Sequence, residues 1–286
     1  MTNRQLIVCA DDFGLDPAVN EAVELAHRDG ILTCTSLMMG EGAVGDAVAR
    51  AKRSHGLAVG LHITLTAGYA VLPSTEIPAL VDTQGRFDDN MARAGMRYFF
   101  LPNVRRQLKA EIRAQFEAFQ KTGLALDHVN THRHFHLHPT LTKMILGIGS
   151  EYGMKSMRVP FEPVSILRRA APAERISTPA YLPWVKILGR RIRLAGMTVN
   201  DAVFGLQWSG AMTEDRVLRL IQHLPPGLTE LYFHPATLRS DKLKRLMPDY
   251  QHVGEFQTLT SPKVKQAVAD LGIQLVTFGQ VSAGAA

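Results

Sequence analysis

The sequence predicts an α/β fold in which parallel strands alternate with helices, as in a (β/α) barrel. Two observations predict it: short apolar runs are each followed by a segment of helical periodicity, and the links between them are short. The composition, 46% hydrophobic and 20% charged, is typical of a globular protein, and 286 residues are enough for one barrel domain. No apolar run reaches the roughly 18 residues that a transmembrane helix needs.

The N-terminal part reads as strand, helix, strand, helix, strand. Residues 5–10 form a continuous apolar run, which predicts a strand buried on both faces. Asp16 is the predicted N-cap of the first helix, with Pro17 in its first turn and Gly30 closing it. The other predicted elements of this part are strands over 31–39 and 56–66 and a helix over 43–53.

Two segments interrupt the alternation further along the chain. Residues 67–102 have weak periodicity and proline–glycine punctuation, which predicts an irregular excursion over the active face. Residues 161–210 look like an inserted helical and loop segment, so we interpret 1–286 as a single domain with two excursions. The other predicted elements are helices over 103–122, 139–152, 213–224 and 262–271, strands from Leu126, over 229–233 and over 273–278, and a strand end at Arg158–Pro160.

Residues 184–194, inside the second excursion, are predicted to form a basic amphipathic helix. Lys186, Arg190 and Arg193 fall on one side, and the apolar side chains opposite are Trp184, Val185, Leu188 and Ile192. One interpretation is a surface helix packed on the barrel with a solvated charged face. The other is a lid or a contact with the membrane surface, since such a helix suits an anionic bilayer.

Five of the chain's eleven histidines lie within residues 128–138, at the end of a predicted strand. Packing does not explain that density, and imidazole is the commonest metal-binding side chain, so the cluster predicts a metal or catalytic site. The roles of His134, His136 and His138 stay open. The two cysteines, Cys9 and Cys34, lack a ligand spacing and are interpreted as small core residues. The remaining histidines, apart from two discussed next, are interpreted as structural or surface residues: His27, His55, His223 and His252.

Polar residues stand at the ends of several predicted strands. Asp11 and Asp12 follow the first strand, His62 lies in the third, His132 follows the strand from residue 126, and His234 follows a late one. In a parallel barrel the carboxyl ends of the strands open onto one face, where active sites are built. We therefore expect these side chains to share a site. The alternatives are that the aspartates only cap a helix and that His62 is a hydrogen-bonded barrel residue.

A carboxylate with two imidazoles is the ligand set of a catalytic metal, and Asp12, His62 and one histidine of the cluster fit it. The nitrogen ligands favour zinc, while magnesium or another divalent ion stays open. Asp11 is then free to accept a proton from an attacking water, and His234 is placed to protonate a departing amine or stabilise an oxyanion. This arrangement predicts a hydrolase.

At this point the chain resembles a known family. Residues 10–14, 60–66, 128–136 and 233–236 are similar, in order, to the motifs of the YdjC-like carbohydrate deacetylases. Glu255 with residues 259–262 resembles a further motif of that family. Within the family the chain is most similar to the hopanoid-biosynthesis-associated (HpnK) branch, and the segments that indicate this branch are residues 9–21, 85–90 and 98–102.

The resemblance implies a distorted, TIM-like (β/α) barrel that removes N-acetyl groups from amino sugars with one divalent metal ion. Carried over by motif, Asp12, His62 and His132 would bind the metal, Asp11 would be the general base and His234 the acid. The branch implies an N-acetylglucosaminyl hopanoid as substrate, and hence an enzyme at the inner face of the membrane. The family often has aspartate where this chain has Asn130 and glycine where it has Ala236, which puts a second carboxylate beside His132 in doubt.

Two other functions remain as alternatives. One is deacetylation of soluble chitooligosaccharides, and the other is a non-catalytic sugar- or lipid-binding barrel, which would require a defective metal site. Nucleic-acid binding is not predicted, because the basic residues are not interleaved with stacking aromatics. The N-terminus lacks the sections of a signal peptide, which predicts a cytoplasmic protein. The oligomeric state is left open, and a homodimer is compatible with the sequence.

Overall fold

The predicted parallel strands form one sheet in the computed structural model, which describes residues 4–284. The strands are β1 (Arg4–Phe13), β2 (Cys34–Leu37), β3 (Ala58–Ile63), β4 (Leu126–Thr131), β5 (Ala202–Phe204), β6 (Gly227–Phe233) and β7 (Gln274–Leu275). Their order is β4-β3-β2-β1-β6-β5, with β7 also pairing with β1, and every pairing is parallel. All the carboxyl ends therefore lie at one rim.

Helices surround the sheet and link its strands. They are α1 (Pro17–Asp29), α2 (Val44–Arg53), α3 (Met91–Phe100), α4 (Pro102–Lys121), α5 (Pro139–Glu151), α6 (Val164–Ala170), α7 (Leu182–Leu194), α8 (Glu214–Ile221), α9 (Asp241–Leu246), α10 (His252–Leu259), α11 (Pro262–Asp270) and α12 (Phe278–Gly284). An irregular 3-10 segment, His132–Leu137, joins β4 to α5. Among the helices of residues 4–284, none combines the length and the apolar character that crossing a bilayer requires.

The sheet curls because its two edge strands are connected by a short extended segment, residues 155–161. Val129 of β4 donates its N–H to Ser156 O at 3.0 Å and accepts from Arg158 N at 3.1 Å. On the other side Met157 N donates to Thr198 O at 3.0 Å, close before β5. The result is a curled half-barrel of parallel strands, so the predicted α/β, TIM-like fold class is confirmed.

The first helix begins and ends where its sequence signals predict. The Asp16 side chain accepts the N–H of Ala18 at 2.9 Å, and Pro17 occupies the first turn, where its missing N–H is not needed. At the other end, a Cβ on Gly30 would come within 2.2 Å of Leu259 O. Only glycine allows that close approach of α1 to the end of α10.

The two excursions contain more regular structure than the sequence pattern indicates. Residues 67–102 include α3, whose N-cap Asn90 accepts the N–H of Arg93 at 3.0 Å. Helix α3 has a buried side, but its outer face also bears large apolar residues, such as Phe100 at 60% exposure. Residues 161–210 hold two helices and also β5, which completes the sheet beside β6.

Helix α7 packs its apolar side onto the barrel. Val185, Leu188 and Ile192 are buried, and Trp184 donates its indole N–H to Leu137 O at 2.7 Å. Arg191, which interrupts the apolar arc, lies over the Trp184 ring at 5.5 Å from its centroid. Of the two interpretations of 184–194, these contacts support the surface helix with a solvated charged face.

A small buried cluster of polar side chains lies inside the barrel, at Cys9, Cys34 and His128. Both cysteines are free and buried, and their sulfurs lie within 4.8 Å of each other and of an imidazole nitrogen. His128 donates from Nδ1 to Asp127 at 2.8 Å, and a Cβ on Gly60 would come within 2.5 Å of its ring. Burial lowers the pKa of His128, but Asp127 and Cys9 together outweigh it and raise that pKa to about 10.

This pair predicts that the protein loses stability in mild alkali. The pKa of His128 is about 10 in the folded protein and near 6.5 in the unfolded chain. The contribution of His128 to the free energy of unfolding is therefore complete below pH 6.5 and is lost as the pH rises towards about 10. For one titrating group, the free energy of unfolding falls by at most about 1.4 kcal/mol per pH unit. Urea unfolding between pH 7 and 10 should show a shallower fall for His128→Gln than for wild type. The control His55→Gln, on the surface, should match wild type, and equal slopes in all three would contradict the prediction.

Candidate active site

The carboxyl end of β1 presents two consecutive buried aspartates to one cavity. Adjacent residues of a regular strand point to opposite faces, but the pairing of β1 with β2 is irregular between Ala10 and Phe13. Within that irregularity Asp12 has φ of +65°, in the left-handed region. Asp11 and Asp12 therefore both line the cavity. A non-glycine residue in this conformation is strained, and such strain is concentrated at functional sites.

Asp12, His62 and His132 are brought together at this rim, as predicted from the strand ends. Asp12 Oδ1 lies 3.3 Å from His62 Nε2 and 3.1 Å from His132 Nδ1, and these two nitrogens are 3.4 Å apart. Within residues 4–284, the second oxygen, Asp12 Oδ2, is buried and has no hydrogen-bond partner. One free carboxylate oxygen beside two imidazoles fits a divalent metal ion, and the nitrogen donors favour zinc.

The electrostatics of this cluster suit a cation. Burial raises the pKa of Asp12, but His132 outweighs it and the pKa lies well below its usual range. Burial lowers the pKa of His62, yet Asp11 and Asp12 outweigh it and raise that pKa overall. Two ionised carboxylates thus concentrate negative charge around the imidazoles.

Asn130, at the end of β4, connects the metal-ligand cluster to Asp11. Its Oδ1 accepts from His62 Nδ1 at 2.6 Å, and its Nδ2 donates to Asp11 Oδ1 at 3.2 Å. With the proton on Nδ1, His62 presents the lone pair of Nε2 towards Asp12 and His132. An aspartate at position 130 would repel Asp11, whereas the amide of Asn130 bonds to both neighbours.

Arg158 is a site residue that the sequence interpretation missed. Its side chain is fully buried and donates to both oxygens of Asp11, at 2.6 and 2.8 Å, and to Glu230 Oε1, at 2.7 and 2.9 Å. The guanidinium also lies over the Tyr232 ring, 4.8 Å from its centroid. Burial raises the pKa of Asp11, but Arg158 outweighs it and holds that pKa well below its usual range. A charged residue at the predicted strand end 158–160 was the signal available.

The histidines of the run after β4 have different roles. Only His132 lies in the ligand cluster, and His134 lines the cavity. His136 is buried away from the cavity, where burial lowers its pKa to about 3, and His138 donates to Gly95 O at 3.0 Å. The chain can turn so sharply after His132 because the next two residues have φ of 54° and 53°, in the left-handed region.

His234 follows β6 and faces the same cavity. Helix α10 holds the backbone of His234 on both sides: the N–H donates to Glu255, and the carbonyl accepts from His252 Nδ1 at 2.7 Å. Burial lowers the pKa of His234 to about 4, although Asp12 and Asp11 act to raise it. The ring is therefore neutral near pH 7 in the resting protein, which disfavours the expected role as an imidazolium acid. His252, which the sequence analysis interprets as a structural residue, has a structural role here, because it holds the backbone of His234.

The cavity that these residues share has a volume of about 350 Å³. Its polar groups converge from several strand ends, and most of its other lining side chains are apolar or aromatic, as is typical of a small-molecule site. The residues that complete its wall are Leu15, Met38, Ala67, Arg133, Leu206, Ser209, Tyr232, Leu246, Met247, Pro248, Asp249 and Tyr250.

The chain is similar to known proteins over nearly its whole length. A family model described as YdjC-like protein matches residues 5–270. A carbohydrate deacetylase of Brevibacillus brevis is 31% identical, over 97% of this chain and 99% of the relative, and one of Geobacillus stearothermophilus is 30% identical over 96% and 97%. A solved structure from Enterococcus faecalis V583, named for cellobiose-phosphate cleavage, is 25% identical, with a TM-score of 0.75 over 98% and 99% of the two chains.

Removing the guanidinium should destabilise the protein strongly. Arg158→Met leaves Asp11 and Glu230 as buried carboxylates without a counter-ion, a change that typically costs about 3–5 kcal/mol of unfolding free energy. Urea unfolding measures it, with Arg190→Met on the exposed side of α7 as the matched control. Adding Glu230→Gln to Arg158→Met should recover part of the loss. A single variant as stable as the control would contradict the prediction.

Proposed function

Since this chain belongs to the YdjC-like family, we propose that it is a metal-dependent hydrolase that removes the N-acetyl group from an amino sugar. The observation that supports this most is the cluster of Asp12, His62 and His132 beside the ionised Asp11, at the wall of one cavity. The relatives named carbohydrate deacetylases cover nearly the whole chain. A non-catalytic sugar- or lipid-binding barrel is disfavoured, because the ligand cluster is complete.

We assign Asp12, His62 and His132 as the ligands of one divalent ion, zinc being favoured over magnesium. When bound, such an ion supplies Lewis-acid polarisation of the acetamide carbonyl and lowers the pKa of a coordinated water. The free Oδ2 of Asp12, the burial of Asp12 and His62, and the partial burial of His132 support this assignment. Asn130 and Ser36 keep His62 in the tautomer that the site requires.

Asp11 is the proposed proton carrier. It accepts a proton from water as the water oxygen bonds to the acetamide carbonyl carbon. The protonated Asp11 then returns this proton to the nitrogen as the C–N bond breaks. The products are acetate and the free amine. Arg158 and Ser36, which bond to the Asp11 oxygens, fix the carboxylate in position throughout.

His234 enters the reaction as a neutral imidazole, so we propose that it donates a hydrogen bond to the oxyanion that forms on the acetyl carbon. This is the second of the two roles expected from the sequence. A neutral donor fixed by α10 needs no reorganisation as charge develops, which is the basis of oxyanion stabilisation.

For the substrate we propose an N-acetylglucosaminyl hopanoid, on the resemblance of residues 9–21, 85–90 and 98–102 to the hopanoid-associated branch. Such a lipid-linked sugar would place the enzyme in the cytoplasm, peripherally at the inner face of the membrane. The second candidate is a soluble chitooligosaccharide, which is compatible with relatives named only for carbohydrate deacetylation. Acetate release from the two substrates, compared side by side, decides between them.

The metal dependence is tested by removal and replacement. Dialysis against a chelator should abolish acetate release, and zinc or another divalent ion should restore it. His62→Ala and His132→Ala should lose bound metal in elemental analysis, while Asp11→Asn should keep the metal and lose roughly 10²–10⁴ in kcat. The control His55→Ala should keep both the bound metal and the wild-type kcat. A chelated protein that still releases acetate, or a metal-loaded protein that releases none from either substrate, would refute the proposal.

The role of His234 is tested by its pH profile. An imidazolium acid with a pKa of about 4 would lose activity as pH rises above that value, whereas a neutral donor keeps it constant there. We expect wild-type kcat to stay level from pH 5 upward until another group titrates. His234→Ala should lower kcat by about 10²–10³ without changing the profile, and His234→Asn should lose less because its amide also donates. Activity that falls from pH 4 and a changed profile in the variant would contradict this role.

A further inference from the structure

One surface of the protein exposes four large apolar side chains side by side. They occupy the end of α3 and the residue after it, and we refer to them as the α3 apolar face: Met96, Phe99, Phe100 and Leu101, at 61%, 47%, 60% and 46% exposure. Elsewhere in residues 4–284, exposed large apolar side chains are at least six residues apart along the chain. Isolated exposed apolar residues are ordinary, but a contiguous group of this size marks a contact surface.

A strongly basic groove adjoins this face. It lies between α4 and α5 and begins at Pro102, directly after Leu101. The cationic side chains that line this α4–α5 basic groove are Arg105, Arg106, Lys109, Arg113 and Lys143. Its one lining carboxylate, Glu151, is paired with Arg113 at 2.5 Å. Within the described part of the chain, Arg105, Lys109 and Lys143 form no ion pair, so their charge is available to an anion.

Both features are attached to the rim of the active-site cavity. Arg133, which lines that cavity, donates to Asp89 O at 3.3 Å, immediately before the N-cap of α3. His138 donates to Gly95 O within α3, and its ring packs edge-on against Phe99 at 6.0 Å between centroids. The segment that carries the ligand His132 therefore also supports the α3 apolar face.

We propose that the α3 apolar face and the α4–α5 basic groove together form a docking surface for an anionic phospholipid bilayer. Large apolar side chains enter the boundary between headgroups and acyl chains, and neighbouring cations bind the lipid phosphates. A two-fold contact through the apolar side chains would not account for the adjacent cations, whereas lipid phosphates do. A soluble anion would occupy the groove but leave the apolar side chains exposed.

The docking surface differs from the segment that the sequence suggested, since the apolar side of α7 is buried against the barrel. It deepens the proposed function, because it would hold the cavity rim at the bilayer where a lipid-linked amino sugar lies. Only this link to a lipid-linked substrate rests on the proposed function. Binding to vesicles is measured without any substrate, so the two proposals can fail separately.

The test is co-sedimentation of the full chain with vesicles. Wild type should bind vesicles of phosphatidylglycerol and phosphatidylethanolamine, bind less at high salt, and leave pure phosphatidylcholine vesicles unbound. Phe99→Ser/Phe100→Ser should reduce the bound fraction about tenfold, and Arg105→Gln/Lys109→Gln should do the same by removing charge. Leu238→Ser, at a separate apolar residue with 55% exposure, is the matched control and should bind like wild type.

Two further measurements keep the result unambiguous. Far-UV circular dichroism and urea unfolding should be equal in wild type and all three variants, which shows that they are folded; the basic-groove variant tests the proposal even if the apolar one misfolds. The proposal would be overturned if wild type did not co-sediment with anionic vesicles, or if the Phe99→Ser/Phe100→Ser and Arg105→Gln/Lys109→Gln variants bound as well as wild type. A wild-type dimer in light scattering that Phe99→Ser/Phe100→Ser converts to a monomer would assign the face to a second copy instead.

Discussion

The buried guanidinium of Arg158 is the interaction on which the rest of the structure depends. It sits in the segment that spans the gap between β4 and β5, and it bonds to Asp11 on β1 and to Glu230 on β6. A buried charge is tolerated only when its hydrogen bonds are satisfied, and here two carboxylates satisfy them. The same side chain therefore links the segment between β4 and β5 to β1 and β6 and orients Asp11.

The geometry around Asp11 extends this constraint to the metal-ligand cluster. Its Oδ1 accepts bonds from Ser36 on β2 and Asn130 on β4 as well as from Arg158, so side chains of three neighbouring segments meet at one atom. Ser36 and Asn130 in turn both contact His62. A carboxylate and an imidazole that share the same supporting groups cannot move independently. This is the preorganisation that electrostatic catalysis needs, because fixed dipoles need not reorient during the reaction.

Sequence reasoning found the parts of the site that depend on strand ends and missed those that depend on long-range pairing. Asp12, His62 and His132 meet because parallel strands bring their carboxyl ends to one rim, which the alternation of elements already indicates. The partners of Arg158 are Asp11, 147 residues away, and Glu230, 72 residues away, and no local sequence pattern predicts such pairings. Among the neighbouring histidines, only the folded backbone separates His132 in the ligand cluster from His136, which is buried elsewhere.

The apolar sides of α7 and α3 also show what a sequence pattern cannot predict. It does not tell whether an apolar side is buried against the protein or left exposed. The sequence indicates α7 as a basic amphipathic helix, although Arg191 interrupts its apolar arc, and it places α3 within a segment of weak periodicity. Periodicity, however, reports only that a helix has an apolar side, and α7 uses that side for packing on the barrel. Helix α3 buries Ala94 and Tyr98 inward and still exposes aromatic residues outward, so its core contacts are already satisfied. Each Å² of apolar surface left in water forgoes about 25 cal/mol. Folding gives no reason for that exposure, and a reason must be sought in what the surface contacts.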